Sequence, residues 1–475
     1  MRVNTDIKLD EFKEQVCKEL KQFTPLGICF FFREGGKEFP LDCDYSLQAL
    51  VSITNSKKKT SIDIFLQNVT YVASSSSSRE DSSISNGSTS IDEKNEMFQA
   101  YNRREKVYKT IYGDDVKSYS HLVWYIDDIK ETNPGSVIKF EFDPAKKQFQ
   151  RIFIAFDACI KGYRFCRPMV YLYATFLTGR FRVCLIAATG INGGKGFLPL
   201  VVALVDSETV NNWEWFIWNL TEVVGDGRPI TFLSDRHEGL LQGVPLVYPD
   251  SFHSFCYYHL KTNLPINGSD PRYTLVLDLF QEPTYALSPK NHAKAIQKIR
   301  DLNCDWVAVY IETIPPESYV NAYFKGCRYG RTSRTLAEAL NNWVMIKRKI
   351  MVMMEDRCEI GANMMTPLTP EYEEKLEALQ DEGCVTSSYT RHMDMWRVYG
   401  FPCSHALAAI RKIKREAIDF ISPYFTSDYF RKTYLHAIHP IPNYNRPVEI
   451  KEGDIINPPI VKKQPGRPAG KKDSK

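Results

Sequence analysis

His253, Cys256 and His259 stand in an H-x2-C-x2-H arrangement. Imidazole and thiolate are zinc ligands, and the ion takes four of them. These three supply part of a shell, and the other cysteines in range, Cys304 and Cys327, are distant. The spacing therefore reads equally as a metal half-site and as a packed strand-to-helix corner. A second chemistry gathers at the C-terminus. Gly466-Arg467-Pro468 lies among Lys462, Lys463, Lys471 and Lys472. An extended basic chain of this kind can lay arginine in the narrow, negative minor groove of A·T-rich DNA. Its lysines would add phosphate contacts that weaken with salt. A generic basic tail or a nuclear import signal shares the composition.

The chain that must position these groups has 475 residues, 43% of them hydrophobic and 25% charged. That is ordinary globular usage, which excludes collagen, coiled coil and wholesale disorder. Sixty-one basic and 57 acidic residues leave a net charge of +4, so charge alone does not argue for nucleic acid. The longest apolar run, Phe197–Val205, is interrupted by Pro199 and falls short of the roughly 20 residues of a membrane span. MRVNTDIKLDEF lacks a signal-peptide core, so an intracellular, reducing compartment is expected. There the scattered cysteines serve as core thiols or metal ligands rather than disulfides.

Hydrophobic periodicity and breakers divide the chain. Residues 1–70 read as a small module with a helix over Phe12–Phe23 and strands over Gly27–Phe32 and Ser61–Val69. A Ser-rich linker fills 71–97. Residues 98–150 open with a helix over Phe98–Ile129 and then a strand at Ser136–Phe142. The block 151–360 carries strands at Met169–Phe176, Phe181–Gly190, Phe197–Val205 and Ile230–Leu233, with a Trp-rich helix over Asn211–Val224. Three strands, a helix and a further strand predict a mixed sheet with helical cover. Helices follow over Ser288–Arg300, where Ser288 caps and Pro289 takes the first turn, then over Thr335–Arg357, Pro370–Gln380 and 401–417. Residues 361–440 form a helical region, and 441–475 a disordered basic tail.

The stretches SYSHLVWYIDDIKETNPGS, RIFIAFDACIKGYRFCRPMVYL, VCLIAATGINGGKGFLPLVVALVDSE, NNWEWFIWNL, FLSDRHEGLL, FHSFCYYHLKTN and RYGRTSRTLAEALNNW lie in order along the middle of the chain. Together they resemble the transposases of plant Mutator-like elements (MULE, MuDR). Residues 1–70 are similar to a ubiquitin-like β-grasp module. GFPCSHALAAI resembles the second half of a SWIM zinc finger, and Gly466-Arg467-Pro468 an AT-hook core.

The resemblance implies an RNase H-like α/β core in which three acidic residues hold two divalent ions. In-line displacement needs one ion on the attacking oxygen and one on the leaving oxygen, and hard carboxylates suit Mg²⁺ or Mn²⁺. Asp235 matches the second acid and Glu338 the third. Tyr173 stands where the first aspartate belongs. A neutral phenol of ordinary pKa about 10 is a poor Mg²⁺ ligand, so cleavage is expected to be severely impaired. Asp157 and Asp206 are the nearest replacements in sequence. The family keeps a C-x2-H at Cys256 and His259. In the SWIM-like segment Cys403 and His405 remain, but Arg391 and Met393 occupy the other two cysteine positions, leaving His392 and Cys384 as substitutes.

The resemblance implies a nuclear, transposase-derived DNA-binding protein with crippled chemistry and no membrane association. The alternatives are an active metal-dependent transposase, and an interaction protein whose N-terminal module and Trp213–Trp218 helix bind protein partners.

Overall fold

The computed structural model describes residues 28–34, 37–41, 64–68, 115–177, 181–332, 343–383, 393–441, 447 and 449–460. The helix expected over Phe12–Phe23, the Ser-rich linker and the basic segment from residue 461 lie outside them. The chain divides into two compact units, residues 1–96 and 97–475.

In the first unit β1 (Ile28–Glu34), β2 (Lys37–Leu41) and β3 (Ile64–Asn68) form an antiparallel sheet in the order β2-β1-β3. Glu34 pairs with Lys37 across the two glycines that separate them, the usual chemistry of a tight hairpin.

The second unit opens with α1 (Asp115–Thr132), the hairpin β4 (Val137–Asp143) and β5 (Gln148–Ala155), and α2 (Asp157–Tyr163). Three antiparallel strands follow: β6 (Arg167–Phe176), β7 (Cys184–Ile191) and β8 (Phe197–Val205). Then come α3 (Val210–Val224), β9 (Thr231–Ser234), α4 (Glu238–Val247) and β10 (Phe252–Phe255). The sheet order is β10-β9-β6-β7-β8-β5-β4; β9 and β10 run parallel to β6, and every other pair is antiparallel. The fold is a mixed α+β architecture on a seven-stranded mixed sheet.

All of β7 is buried, which is why CLIAATGI reads as a continuous apolar run rather than an alternation. On α3 the positions Trp213, Phe216, Ile217, Leu220 and Val224 repeat at helical spacing and are buried, while Trp218 stays 57% exposed. Thr209 caps this helix through the Asn212 amide. The sequence reading had no helix at α4, whose Gly239 and Gly243 let it close against α3. A Cβ on Gly239 would stand 2.7 Å from that of Trp213, and one on Gly243 2.8 Å from Ile217 Cδ1.

A helical insertion follows β10. Its helices are α5 (Tyr257–Thr262), α6 (Tyr273–Leu279), α7 (Gln281–Tyr285), α8 (Pro289–Asp301) and α9 (Asp305–Glu312). They share a separate apolar cluster around Phe280, Ile299, Val307 and Val320. Ser288 caps α8 as expected, accepting from Asn291 N.

The chain closes with α10 (Trp343–Ala362), α11 (Pro370–Gly383), α12 (Met393–Tyr399), α13 (Ser404–Lys412) and α14 (Ser427–Thr433). This region docks on the β7–β8 turn. Thr369 Oγ1 donates to Gly193 O, Asn192 Nδ2 to Tyr434 Oη, and Arg357 to Phe197 O and Tyr434 Oη. Residues 449–460 fall where the basic tail was expected to begin, yet Ile456 is buried against the core. Ser120 Oγ bonds the Ile456 backbone, and Phe149 N donates to Asn457 O.

Candidate functional site

The ends of β6 and β9 lie side by side because the two strands are parallel neighbours, with Met169 opposite Thr231 and Tyr171 opposite Leu233. The pairing ends there; Tyr173 lies two residues further along β6, and Asp235 two residues beyond Leu233, just past the end of β9. Tyr173 is buried, and its backbone pairs with Ala187 on the other flank. Asp235 is half-buried immediately after β9. Its Oδ1 accepts from His237 N at 3.1 Å, and His237 Nδ1 accepts from Gly239 N at 3.1 Å, so the carboxylate leads directly into the α4 cap. Arg236 donates to Tyr310 Oη at 2.5 Å, bringing α9 of the insertion to this sheet edge.

Neither sequence candidate for a replacement carboxylate comes free to Tyr173. Asp157 follows β5, which runs antiparallel to β8, so it emerges at the opposite end of the sheet. There it pairs with Lys161 at 2.7 Å. Asp206 follows β8 at the correct end, but its Oδ1 is taken by Asn212 Nδ2 at 2.9 Å. Glu338 lies outside the described residues.

His253 belongs to β10, and its Nε2 sits 2.7 Å from Ser234 Oγ on β9. Burial pushes its pKa down to about 4, so the ring is neutral near pH 7. Cys256 is buried at the start of α5 with Met169, Tyr171 and Leu233, and its backbone N donates to Ser234 O. His259 follows one turn along α5. Cys403 is buried at the N-cap of α13, with His405 in its first turn. His392 and Cys384 lie outside the described residues, as do Lys462, Lys463, Gly466, Arg467, Pro468, Lys471 and Lys472. Among the described residues no three His, Cys, Asp or Glu side chains converge to hold a metal. Among the described residues Asp235 is the one carboxylate of the expected acidic set, and by itself it does not supply the several hard oxygens that each of two ions needs. The described Cys and His groups do not make a zinc shell.

Residues 169–263 match the family model of the MULE transposase domain. The match begins inside β6 and ends beyond α5, so it contains Tyr173, Asp235, Cys256 and His259. Over 146 residues the chain is 20% identical to Protein FAR1-RELATED SEQUENCE 4 of Arabidopsis thaliana, covering 31% of this chain and 20% of that protein. Over 193 residues it is 22% identical to Protein FAR1-RELATED SEQUENCE 6 of the same plant, covering 40% of this chain and 26% of that protein. The chain thus spans a fifth to a quarter of these curated relatives. Among the described residues no helix is long and apolar enough to cross a membrane.

Within the MULE-type stretch and its surroundings, sequence reasoning missed Arg167. It is fully buried, and its Nη2 donates to Gly193 O and Gly194 O at 3.1 and 2.7 Å. The rings of Phe425 and Tyr372 lie 4.5 and 4.9 Å from its guanidinium carbon. Burial lowers its pKa from the ordinary arginine value. The available signal was an arginine at the head of an otherwise apolar strand.

Proposed function

We propose that this chain is a transposase-derived nuclear DNA-binding protein whose two-metal strand cleavage is impaired. The MULE match supports the descent. So does the topology: three antiparallel strands, a helix, and two further strands parallel to the first, with β6 at the centre, is the order expected of an RNase H-like core. What supports the loss of chemistry is the parallel β6–β9 pairing, with Tyr171 opposite Leu233, which points the strand ends carrying Tyr173 and Asp235 toward the same end of the sheet. An uncharged, buried phenol there supplies no carboxylate where a cation pair would need one. DNA binding would then outlast cleavage, because phosphate contacts need lysine and arginine rather than metal.

Calorimetric titration with Mn²⁺ tests this. Wild-type protein is expected to show no binding, Tyr173→Asp to bind, and Tyr173→Asp with Asp235→Ala to lose it again. Wild-type binding abolished by Asp235→Ala would overturn the reading and restore an active metal-dependent enzyme. A labelled duplex is expected to bind the wild type with strong salt dependence and no metal requirement.

A further inference from the structure

Several cations gather around the start of β6 without a direct carboxylate ion pair among the described residues, although the Glu371 carboxylate lies close to Gly194. Arg167 and Arg328 are both fully buried. Arg328 donates to Tyr319 O and Asn321 Oδ1, and Arg331 to Lys195 O. Lys375 lies against the rings of Phe401, Tyr372 and Tyr399. Each of these cations rests on carbonyls, an amide oxygen or aromatic faces, and none forms an ion pair with a carboxylate among the described residues. Burial lowers the Lys375 pKa, and the like charges of Arg167 and Lys195 lower it further. Buried charges without counter-charges are costly, and together they project a positive potential onto the adjoining surface.

That surface contains a cleft of about 240 Å³. Pro168, Thr231, Phe252, Lys325, Tyr329 and Arg397 line it, and among the described residues no acidic one does. Lys325 is exposed and makes no ion pair or side-chain hydrogen bond among the described residues. Arg397 is held by donation to the Phe324 and Asn321 carbonyls. Tyr329 joins the cleft to the buried cluster, lying 5.9 Å from the Arg167 guanidinium carbon. The cleft opens at the beginning of β6 and β9, the opposite end from Asp235. Four residues of β9 put it about 13 Å from that carboxylate along the strand. It is therefore no part of the site above. Its volume lies below the roughly 300–1,000 Å³ of whole small-molecule pockets. It suits a single tetrahedral anion whose remainder stays outside.

We propose that this cleft seats one backbone phosphate of duplex DNA, with Lys325 and Arg397 as its cationic contacts. The proposal rests on the DNA-binding reading and gives that reading a place on the folded core, separate from the basic C-terminal segment. A phosphate contact of this kind fixes register and orientation and carries no base sequence.

The test is fluorescence anisotropy of the full chain with a fluorescein-labelled duplex of mixed sequence, titrated with salt. Loss of one phosphate contact lowers the slope of log K against log salt by about 0.9. Lys325→Gln is expected to show that fall, and Lys290→Gln, an exposed lysine on α8, none. An unchanged slope for Lys325→Gln on a wild type that binds would overturn the cleft and leave the DNA-binding reading standing. An equal fall for Lys290→Gln would also overturn it, by showing a diffuse charge effect. A wild type that binds no duplex would remove both. Displacement of the duplex by inorganic pyrophosphate from wild type but not from Lys325→Gln would support an anion seat. Loss of poly-glutamate binding in Lys325→Gln with the duplex slope intact would assign the cleft to an acidic peptide and sink the proposal.

Discussion

His253 carries a pH dependence that its surroundings fix. Its pKa drops to about 4 in the fold, against about 6.5 in an unfolded chain. Between those values the unfolded ring is protonated and the folded one is not, so the unfolded state binds more protons and stability falls as pH falls. The effect is absent above pH 6.5 and complete near pH 4, with a slope of up to about 1.4 kcal/mol per pH unit. Denaturant melts from pH 7 to pH 4 should show the loss, and His253→Asn, which cannot titrate there, should flatten that part of the curve. Arg167 poses the opposite problem, a cation that stays charged in the core. Its planar group meets ring faces and two carbonyls at once, a geometry a lysine ammonium does not reproduce. Arg167→Lys is expected to cost about 2–4 kcal/mol by the same melts, since it loses stacking and the hydrogen bond to Gly194 O, while Gly193 O keeps Thr369 as a donor. A change below about 0.5 kcal/mol would show that charge alone matters there.

Elements meet in this protein through small residues that allow close approach. Gly162 on α2 faces α14 so tightly that a Cβ would stand 2.3 Å from the Thr433 carbonyl oxygen. Backbone cannot swing away as a side-chain tip can, so Gly162→Ala should destabilise by about 1–3 kcal/mol. A neutral Gly162→Ala melt would mean that α14 can shift. The α3–α4 pair works the same way through Gly239 and Gly243, and this explains why α4 escaped sequence reading. EGLLQGVPLV is ten residues with an internal proline, a poor helix by propensity, and packing on Trp213 and Ile217 supplies the stability. By contrast β6, β7 and β8 were plain in the sequence, because burial on both faces forces long apolar runs. QFQRIFIA of β5 was missed because Gln and Arg interrupt its apolar residues; its inner half is recognisable only once β8 lies beside it.

At the scale of the whole chain, two compact units predict separability. A fragment of residues 97–475 is expected to melt cooperatively, with a midpoint within a few degrees of the same transition in the full chain. A fragment that unfolds at room temperature would show that the first 96 residues complete the core. The sequence by itself determined what local chemistry can carry: the strands of β6 to β8, the helix α3, the capped helix α8, the tyrosine at position 173, and the string of segments that points to a Mutator-like transposase. Those features are written in consecutive residues, where burial and backbone geometry leave periodic traces. The tertiary structure alone decided that β6 and β9 are parallel neighbours, that Asp157 leaves from the wrong end of the sheet, and that Arg167, Lys195, Arg331, Lys375 and Arg397 gather around the start of β6. Strand register and long-range docking bring such residues together from positions up to 230 apart, and neither leaves a periodic mark in sequence, because both are set by packing between elements rather than within them.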